Sequence, residues 1–272
     1  MSLGVRVPHR LPTAELERRL MLLGPVVLAV SVLQRVREMG NPIGWSMTDL
    51  NVYWSLSPNL LHGGLYDKSL PFTADFPLPF TYPPFAAAVF LPLTVLSWLA
   101  TKIVWHALSV GCLCWFSRST LRMIARQRQQ TWDRFWELRA LFWAGLALWC
   151  EPVRTTLGEG QINLVLAAVL MAGLASRRDV LAGLGVGVTA GIKLTPAVSV
   201  LYFAAARRWR ALGWSAAWLV ITIAIGALFS ASASWRYWHD PLGVSDAPQP
   251  VGSAINQSLR GALSRTFGHD VG

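Results

Sequence analysis

Asp49 stands in the stretch WSMTDLNVYWSLSPNLLHGGLY, residues 45–66, in a setting of Tyr53, Trp54, His62 and paired glycines. A carboxylate so placed is a candidate general base, since one carboxylate within hydrogen-bond reach of a hydroxyl can take its proton. The alternative is an amphipathic helix lying on a membrane, with Asp49 solvated or capping it.

Three further clusters carry chemistry. Arg154-Thr155-Thr156-Leu157-Gly158-Glu159-Gly160-Gln161-Ile162-Asn163 leads straight into an apolar segment. Gln161 and Asn163 open that segment's helix, and helix N-termini favour anions, so with Arg154 nearby this stretch suits a phosphate. The alternative, which the stretch taken alone favours slightly, is a polar turn with a capped helix. Asn256-Gln257-Ser258-Leu259-Arg260 lies near the end of the sequence, where Arg260 can meet a phosphate or an acidic lipid head. Lys193, within Gly191-Ile192-Lys193-Leu194-Thr195-Pro196, sits inside an apolar run. A charge at membrane depth is costly unless paired or hydrated, which makes it a candidate functional group. Snorkelling of its four methylenes to the headgroups is the alternative.

The five histidines are scattered, without metal-ligand spacing, and no metal site is expected. P-loop, G-x-S-x-G and H-E-x-x-H signatures are missing, so ATP-driven and metalloprotease chemistry have no support. Cys112, Cys114 and Cys150 fall in apolar runs and read as small buried hydrophobes.

The elements that must position these residues read as membrane helices. Of 272 residues 53% are hydrophobic and only 14% charged, against roughly 25% in soluble domains. The 14 tryptophans suit the headgroup boundary. The net charge of +10 would suggest nucleic acid in a soluble protein, but the basic residues cluster between apolar segments, so topology explains them better and no nucleic acid partner is expected. We predict an all-α, polytopic, multi-pass protein of the cell (plasma) membrane.

Residues 1–19 form a cytoplasmic N-terminus, and 20–230 the membrane domain. The first span covers 20–33, with a kink at Gly24-Pro25. Residues 34–82 form a long loop whose aromatic content argues for function. Tyr82-Pro83-Pro84 opens a short helix over 85–96, too short to span at about 18 Å. Residues 98–116 are long enough to cross. The stretch 118–139, with six arginines, reads as a basic cytoplasmic loop on an anionic leaflet. Residues 141–153 cross back, 151–160 form a short polar turn, and 161–175 return.

Residues 180–206 are interrupted by Gly191 and Pro196 and flanked by Arg177-Arg178 and Arg207-Arg208-Trp209-Arg210, which predicts a hairpin of two short helices. The last span covers 212–229, and 231–272 form an extracytoplasmic tail. Glycines at 183, 185 and 187 read as small-residue packing rather than a dinucleotide site. This arrangement puts most Lys and Arg on the cytoplasmic side, as the positive-inside rule requires, and Asp49 on the outer face.

The ordered motifs Thr48-Asp49-Leu50-Asn51-Val52-Tyr53, Phe80-Thr81-Tyr82-Pro83-Pro84-Phe85, Gly160-Gln161-Ile162-Asn163, Gly191-Ile192-Lys193-Leu194-Thr195-Pro196 and Asn256-Gln257-Ser258-Leu259-Arg260-Gly261 resemble one family. It is the actinobacterial polyprenyl-phosphate-mannose-dependent α-(1→2)-mannosyltransferases of glycosyltransferase family 87. The resemblance implies a GT-C-like helical bundle with short and broken helices and outer-face loops. It also implies transfer of mannose from a β-linked polyprenyl-phosphate donor to a hydroxyl of a lipid-anchored mannoside or mannan, with inversion and without a cofactor.

Asp49 maps onto that family's catalytic base. Leaving-phosphate charge needs fixed donors or cations, for which Arg154, Lys193 and Arg260 are the candidates, with Tyr53, Gln161, Asn163, Asn256 and Gln257 as further substrate- or donor-binding residues. Family members run on through several more helices beyond the last motif, so the sequence is expected to be a C-terminally truncated form. The alternatives are an inactive fragment or membrane scaffold, and a transporter, for which broken helices and an intramembrane lysine would also serve.

Overall fold

The computed structural model describes residues 12–38, 46–73, 76–240, 244, 251–253, 256 and 258–271. Its regular structure among the described residues is nearly all helical, and it divides into two compact units. The first comprises the described parts of residues 1–51, 96–190 and 194–220, and the second 52–95, 191–193 and 221–272.

The first unit opens with helix α1, Pro12–Leu22, and α2, Gly24–Glu38. The two are bent by 47° at the expected Gly24-Pro25 kink, and together they pass as one membrane span by length and composition. Helix α3 begins at Thr48 and runs to Leu56, so the stretch 34–82 is not a structureless loop.

Helix α6, Trp98–Gln127, starts where the Ser97 hydroxyl accepts from the Ala100 amide, an N-cap that satisfies one orphan donor of the first turn. It is long and apolar enough to cross a membrane. It also runs 11 residues past the predicted end of the span at 116. Arg118, Arg122 and Arg126 therefore ride on its last turns rather than in a loop. Arginine is a good helix former, and cations suit the negative end of the helix dipole.

Helix α7, Arg134–Ala147, is capped by the Asp133 carboxylate, which accepts from the Trp136 amide at 3.1 Å. The predicted polar turn at 151–160 is instead mostly helix α8, Glu151–Gly158, with Pro152 in its first turn, where a missing N–H costs nothing. Helix α9, Asn163–Leu174, follows after a 119° bend. Helix α10, Asp179–Ile192, then stops just before Lys193. A short 3-10 turn, Thr195–Ser199, leads into α11, Val200–Ala205, and α12 covers Trp209–Phe229.

Close backbone approach holds these helices together, as expected where lipid removes most of the hydrophobic drive. Added Cβ atoms would fall 2.3 Å from the Leu138 carbonyl oxygen at Gly24 and 2.8 Å from the Leu28 nitrogen at Gly145, so α2 and α7 meet through glycine. The expected small-residue packing at 183–187 is present. Gly183 and Gly187 face Trp214, Ser215 and Trp218 of α12, and Gly185 faces Gly173 of α9. Cys112 and Cys114 are half-buried, but Cys150 is exposed, correcting its reading as a buried hydrophobe; it lies at the α7–α8 junction.

The second unit contains the rest of α3, helix α4 (Asn59–His62) and an antiparallel hairpin of β1 (Ser69–Thr73) and β2 (Phe76–Pro79). Pro71, Pro77 and Pro79 deny amide donors to this ladder, which stays short. Helix α5, Pro84–Phe90, begins at the predicted Tyr82-Pro83-Pro84 signal and passes into a 3-10 turn, Leu91–Val95. Gly226, late in α12, packs on Pro84 and Phe85. Helix α13, Ala231–His239, and helix α14, Leu259–Phe267, lie in the stretch read as a polar tail.

Candidate active site

Asp49 sits half-buried in the first turn of α3. The start of that helix is fixed by the α8–α9 corner. The amides of Met47 and Asp49 donate to the carbonyls of Gly158 and Glu159, each at 2.9 Å, and the Leu50 amide also reaches Glu159 at 3.3 Å. The Ser46 hydroxyl donates to the Glu159 carboxylate at 2.8 Å, and the Thr48 hydroxyl to Ser46 at 2.7 Å.

At the corner itself Gly160 has φ +67°, and a Cβ there would lie 2.6 Å from the Leu50 Cβ. Glycine meets both demands, the left-handed backbone and the close approach of α3. The Gln161 amide donates to the Thr156 carbonyl at 2.8 Å, and the Asn163 side chain donates to Gln161 Oε1 at 2.7 Å. Three of the sequence-predicted site residues, Asp49, Gln161 and Asn163, thus belong to one hydrogen-bonded corner. Arg154 lies on the exposed side of α8, one turn before Glu159.

A second group forms within the second unit. Tyr53, with none of its surface exposed, stacks on Phe90 at 4.2 Å and meets Tyr82 edge-on at 5.2 Å. Its hydroxyl donates to the Tyr82 hydroxyl at 2.8 Å. The Lys193 ammonium lies 5.6 Å from the centre of the Tyr82 ring, a cation–π contact. The Tyr66 hydroxyl donates to the Tyr82 carbonyl at 2.8 Å. Burial, reinforced by Tyr237 and opposed by Arg236, pushes the Tyr66 phenol well up, so it stays a neutral donor. Tyr53 and Lys193 are thus joined through Tyr82.

Lys193 is in the break that ends α10. Gly191 just before it lies against Thr222 of α12, where a Cβ would fall 2.1 Å from Oγ1.

The Asn256 motif is organised around the start of α14. The Ser258 hydroxyl caps that helix by accepting from the Gly261 amide at 3.0 Å. Asn256 accepts from the Ser258 amide and donates to the Val251 carbonyl. Arg260 pairs with Asp270 through two bonds, at 2.9 and 2.6 Å, on the surface. Gln257 lies outside the described residues.

Among the described residues no cluster of His, Cys, Asp or Glu is suited to hold a metal ion. Sequence reasoning left Glu159, Ser46 and Tyr66 unassigned. The alternating Gly158-Glu159-Gly160 run marks a sharp corner and is the signal that could have pointed to the first of these.

The model of glycosyltransferase family 87 matches residues 80–271, which carry four of the five ordered motifs. The chain belongs to glycosyltransferase family 87. It is 39% identical over 267 residues to a polyprenol-phosphate-mannose-dependent α-(1-2)-phosphatidylinositol pentamannoside mannosyltransferase of Mycolicibacterium smegmatis, covering 96% of this chain and 63% of the relative. It is 35% identical over 236 residues to the Mycobacterium tuberculosis protein of the same name, covering 85% of this chain and 53% of the relative. A phosphatidylinositol mannoside mannosyltransferase of M. tuberculosis is 32% identical over 207 residues, with 71% and 47% covered. The chain therefore spans between about half and two thirds of these family 87 relatives. No solved structure matches it.

Proposed function

We propose that the protein is a membrane glycosyltransferase that moves mannose from a polyprenyl-phosphate donor to a hydroxyl of a lipid-linked mannoside, working on the outer face of the plasma membrane. Asp49 is the general base that takes the acceptor proton. Family membership and the relatives' names support the donor and acceptor classes. The observation that carries Asp49 is its pinned position, with the amides of Met47, Asp49 and Leu50 anchored on the α8–α9 corner beside Gln161 and Asn163.

The chemistry is an inverting displacement. As the acceptor oxygen attacks the anomeric carbon, its proton passes to the Asp49 carboxylate. The bond from that carbon to the phosphate oxygen breaks, and the electron pair leaves on the phosphate. One carboxylate suffices, because the leaving group needs no protonation if its charge is met by cations or fixed dipoles. The donor carries a single phosphate, so a metal clamp is not required. Lys193 is the cation we assign to the leaving phosphate, ahead of Arg260, whose guanidinium is engaged by Asp270.

The test supplies membranes containing the complete protein with synthetic β-linked polyprenyl-phosphate mannose and a phosphatidylinositol mannoside acceptor, and reads the new linkage. An α-(1→2) product from the β donor is expected. A β-linked product, or transfer only from a nucleotide sugar, would overturn the reading.

A further inference from the structure

A cavity of about 530 Å³ opens where α6 turns into α7, lined by Arg128, Gln129, Gln130, Trp136 and Arg139 among others. This is within the size range of small-ligand sites. It lies entirely in the first unit and involves none of the residues assigned to mannosyl transfer.

The local acids are already engaged. Glu137 receives the Arg118 guanidinium in a forked bond and the Trp132 indole N–H at 2.6 Å. Asp133 caps α7. Glu17 pairs with one nitrogen of Arg139. The cations are in excess: Arg126, Arg128 and Arg134 form no ion pair among the described residues. Arg139 is held by the faces of Phe135 and Trp136, 4.9 and 4.6 Å from the ring centres. Its Nε is buried with no hydrogen-bond partner among the described residues. The positive end of the 14-residue helix α7 adds to the field.

Its level relative to the apolar helix limits what binds. The apolar part of α6, residues 98–116, is about 28 Å long, close to the hydrocarbon thickness. Glu137 bonds Arg118, so this part of α7 lies level with the end of that apolar stretch. Trp132 and Trp136 stack there at 6.0 Å, as indoles do at headgroup depth. A guanidinium presents planar N–H donors that match the oxygens of a phosphate.

We propose that this cavity holds the phosphate headgroup of an anionic phospholipid, bound by Arg128 and Arg139. Its role is to seat the α6–α7 turn on the membrane surface. Inorganic phosphate shares the chemistry, and the test separates the two sources.

The chain is placed in phosphatidylcholine nanodiscs doped with phosphatidylglycerol, and retained lipid is read by native mass spectrometry after delipidation. Selective retention of phosphatidylglycerol is expected. Arg128→Gln should lower it about fivefold, the worth of one basic residue near an anionic surface. Arg139→Lys keeps the charge but removes the planar guanidinium and should also lower it. Arg126→Gln, on the exposed side of the same helix end, should leave it nearly unchanged.

Equal retention in wild type and Arg128→Gln overturns the proposal. So does an equal loss in Arg126→Gln, which would mean diffuse surface potential only. Complete displacement of the lipid by inorganic phosphate also overturns it, in favour of a free-anion site.

Discussion

The backbone amide of Asp49 donates to the backbone carbonyl of Glu159 at 2.9 Å, across 110 residues of sequence. The proposed base is therefore located by the main chain of a different helix pair, not by its own loop. Any change that moves the α8–α9 corner should move Asp49 with it.

Gly160 is the sharpest handle on that corner. Gly160→Ala places a Cβ 2.6 Å from Leu50 Cβ at a backbone φ of +67°. Overpacking of this kind costs about 1–3 kcal/mol. We expect a lower unfolding temperature in detergent and mannosyl transfer reduced in kcat more than in KM. Wild-type stability and rate in the variant would show that the corner does not set the position of Asp49.

Tyr82→Phe removes the hydroxyl that accepts from buried Tyr53. The loss of one such bond is worth about 1 kcal/mol. The Lys193–ring contact survives in phenylalanine, so donor affinity should fall only slightly. Tyr82→Leu removes both and should weaken donor binding clearly more, measured as KM for the polyprenyl-phosphate sugar.

Glu137 gives a pH dependence. Hydrogen bonding from Arg118, helped by Trp132 and by the charges of Arg118 and Arg122 and opposed by desolvation, holds its carboxyl at about 2, below the ordinary 4.5. A carboxylate depressed in the fold contributes stability that is complete above the unfolded value and fades as pH falls toward the folded one. The unfolding-temperature gap between wild type and Glu137→Gln should therefore be full above pH 4.5 and shrink below it. The carboxylate is partly exposed, so screening keeps that gap small. A gap that widens on acidification would contradict this.

Gly191→Ala tests the helix break. The added Cβ would fall 2.1 Å from Thr222 Oγ1, so α10 and α12 must part around Lys193. Expression in membranes should drop, and activity per folded molecule should drop with it. Thr222→Ala in the same chain should partly rescue both by making room.

Much of this was legible in the sequence where a local rule acts. Gly24-Pro25 announced the bend between α1 and α2, Tyr82-Pro83-Pro84 announced the start of α5, and Gly191 to Pro196 announced the end of α10. Segments 118–127 and 151–158 misled because polar and charged residues read as loop. Arginine is nevertheless a good helix former, and proline is welcome in the first turn of α8. Long-range pairing was not legible. Nothing in the spacing of Tyr66 and Tyr237, which stack at 6.1 Å, or of Ser46 and Glu159, links them before the chain is folded.

The central claim is that Asp49 takes the acceptor proton. Asp49→Asn keeps the size of the side chain and its place in the first turn of α3, but removes the base. The complete protein with this substitution should insert and fold as wild type by protease protection and unfolding temperature. Its mannosyl transfer to a phosphatidylinositol mannoside should fall by about 100-fold or more, the usual worth of a general base. Transfer within a fewfold of wild type in a normally folded Asp49→Asn protein would contradict the account.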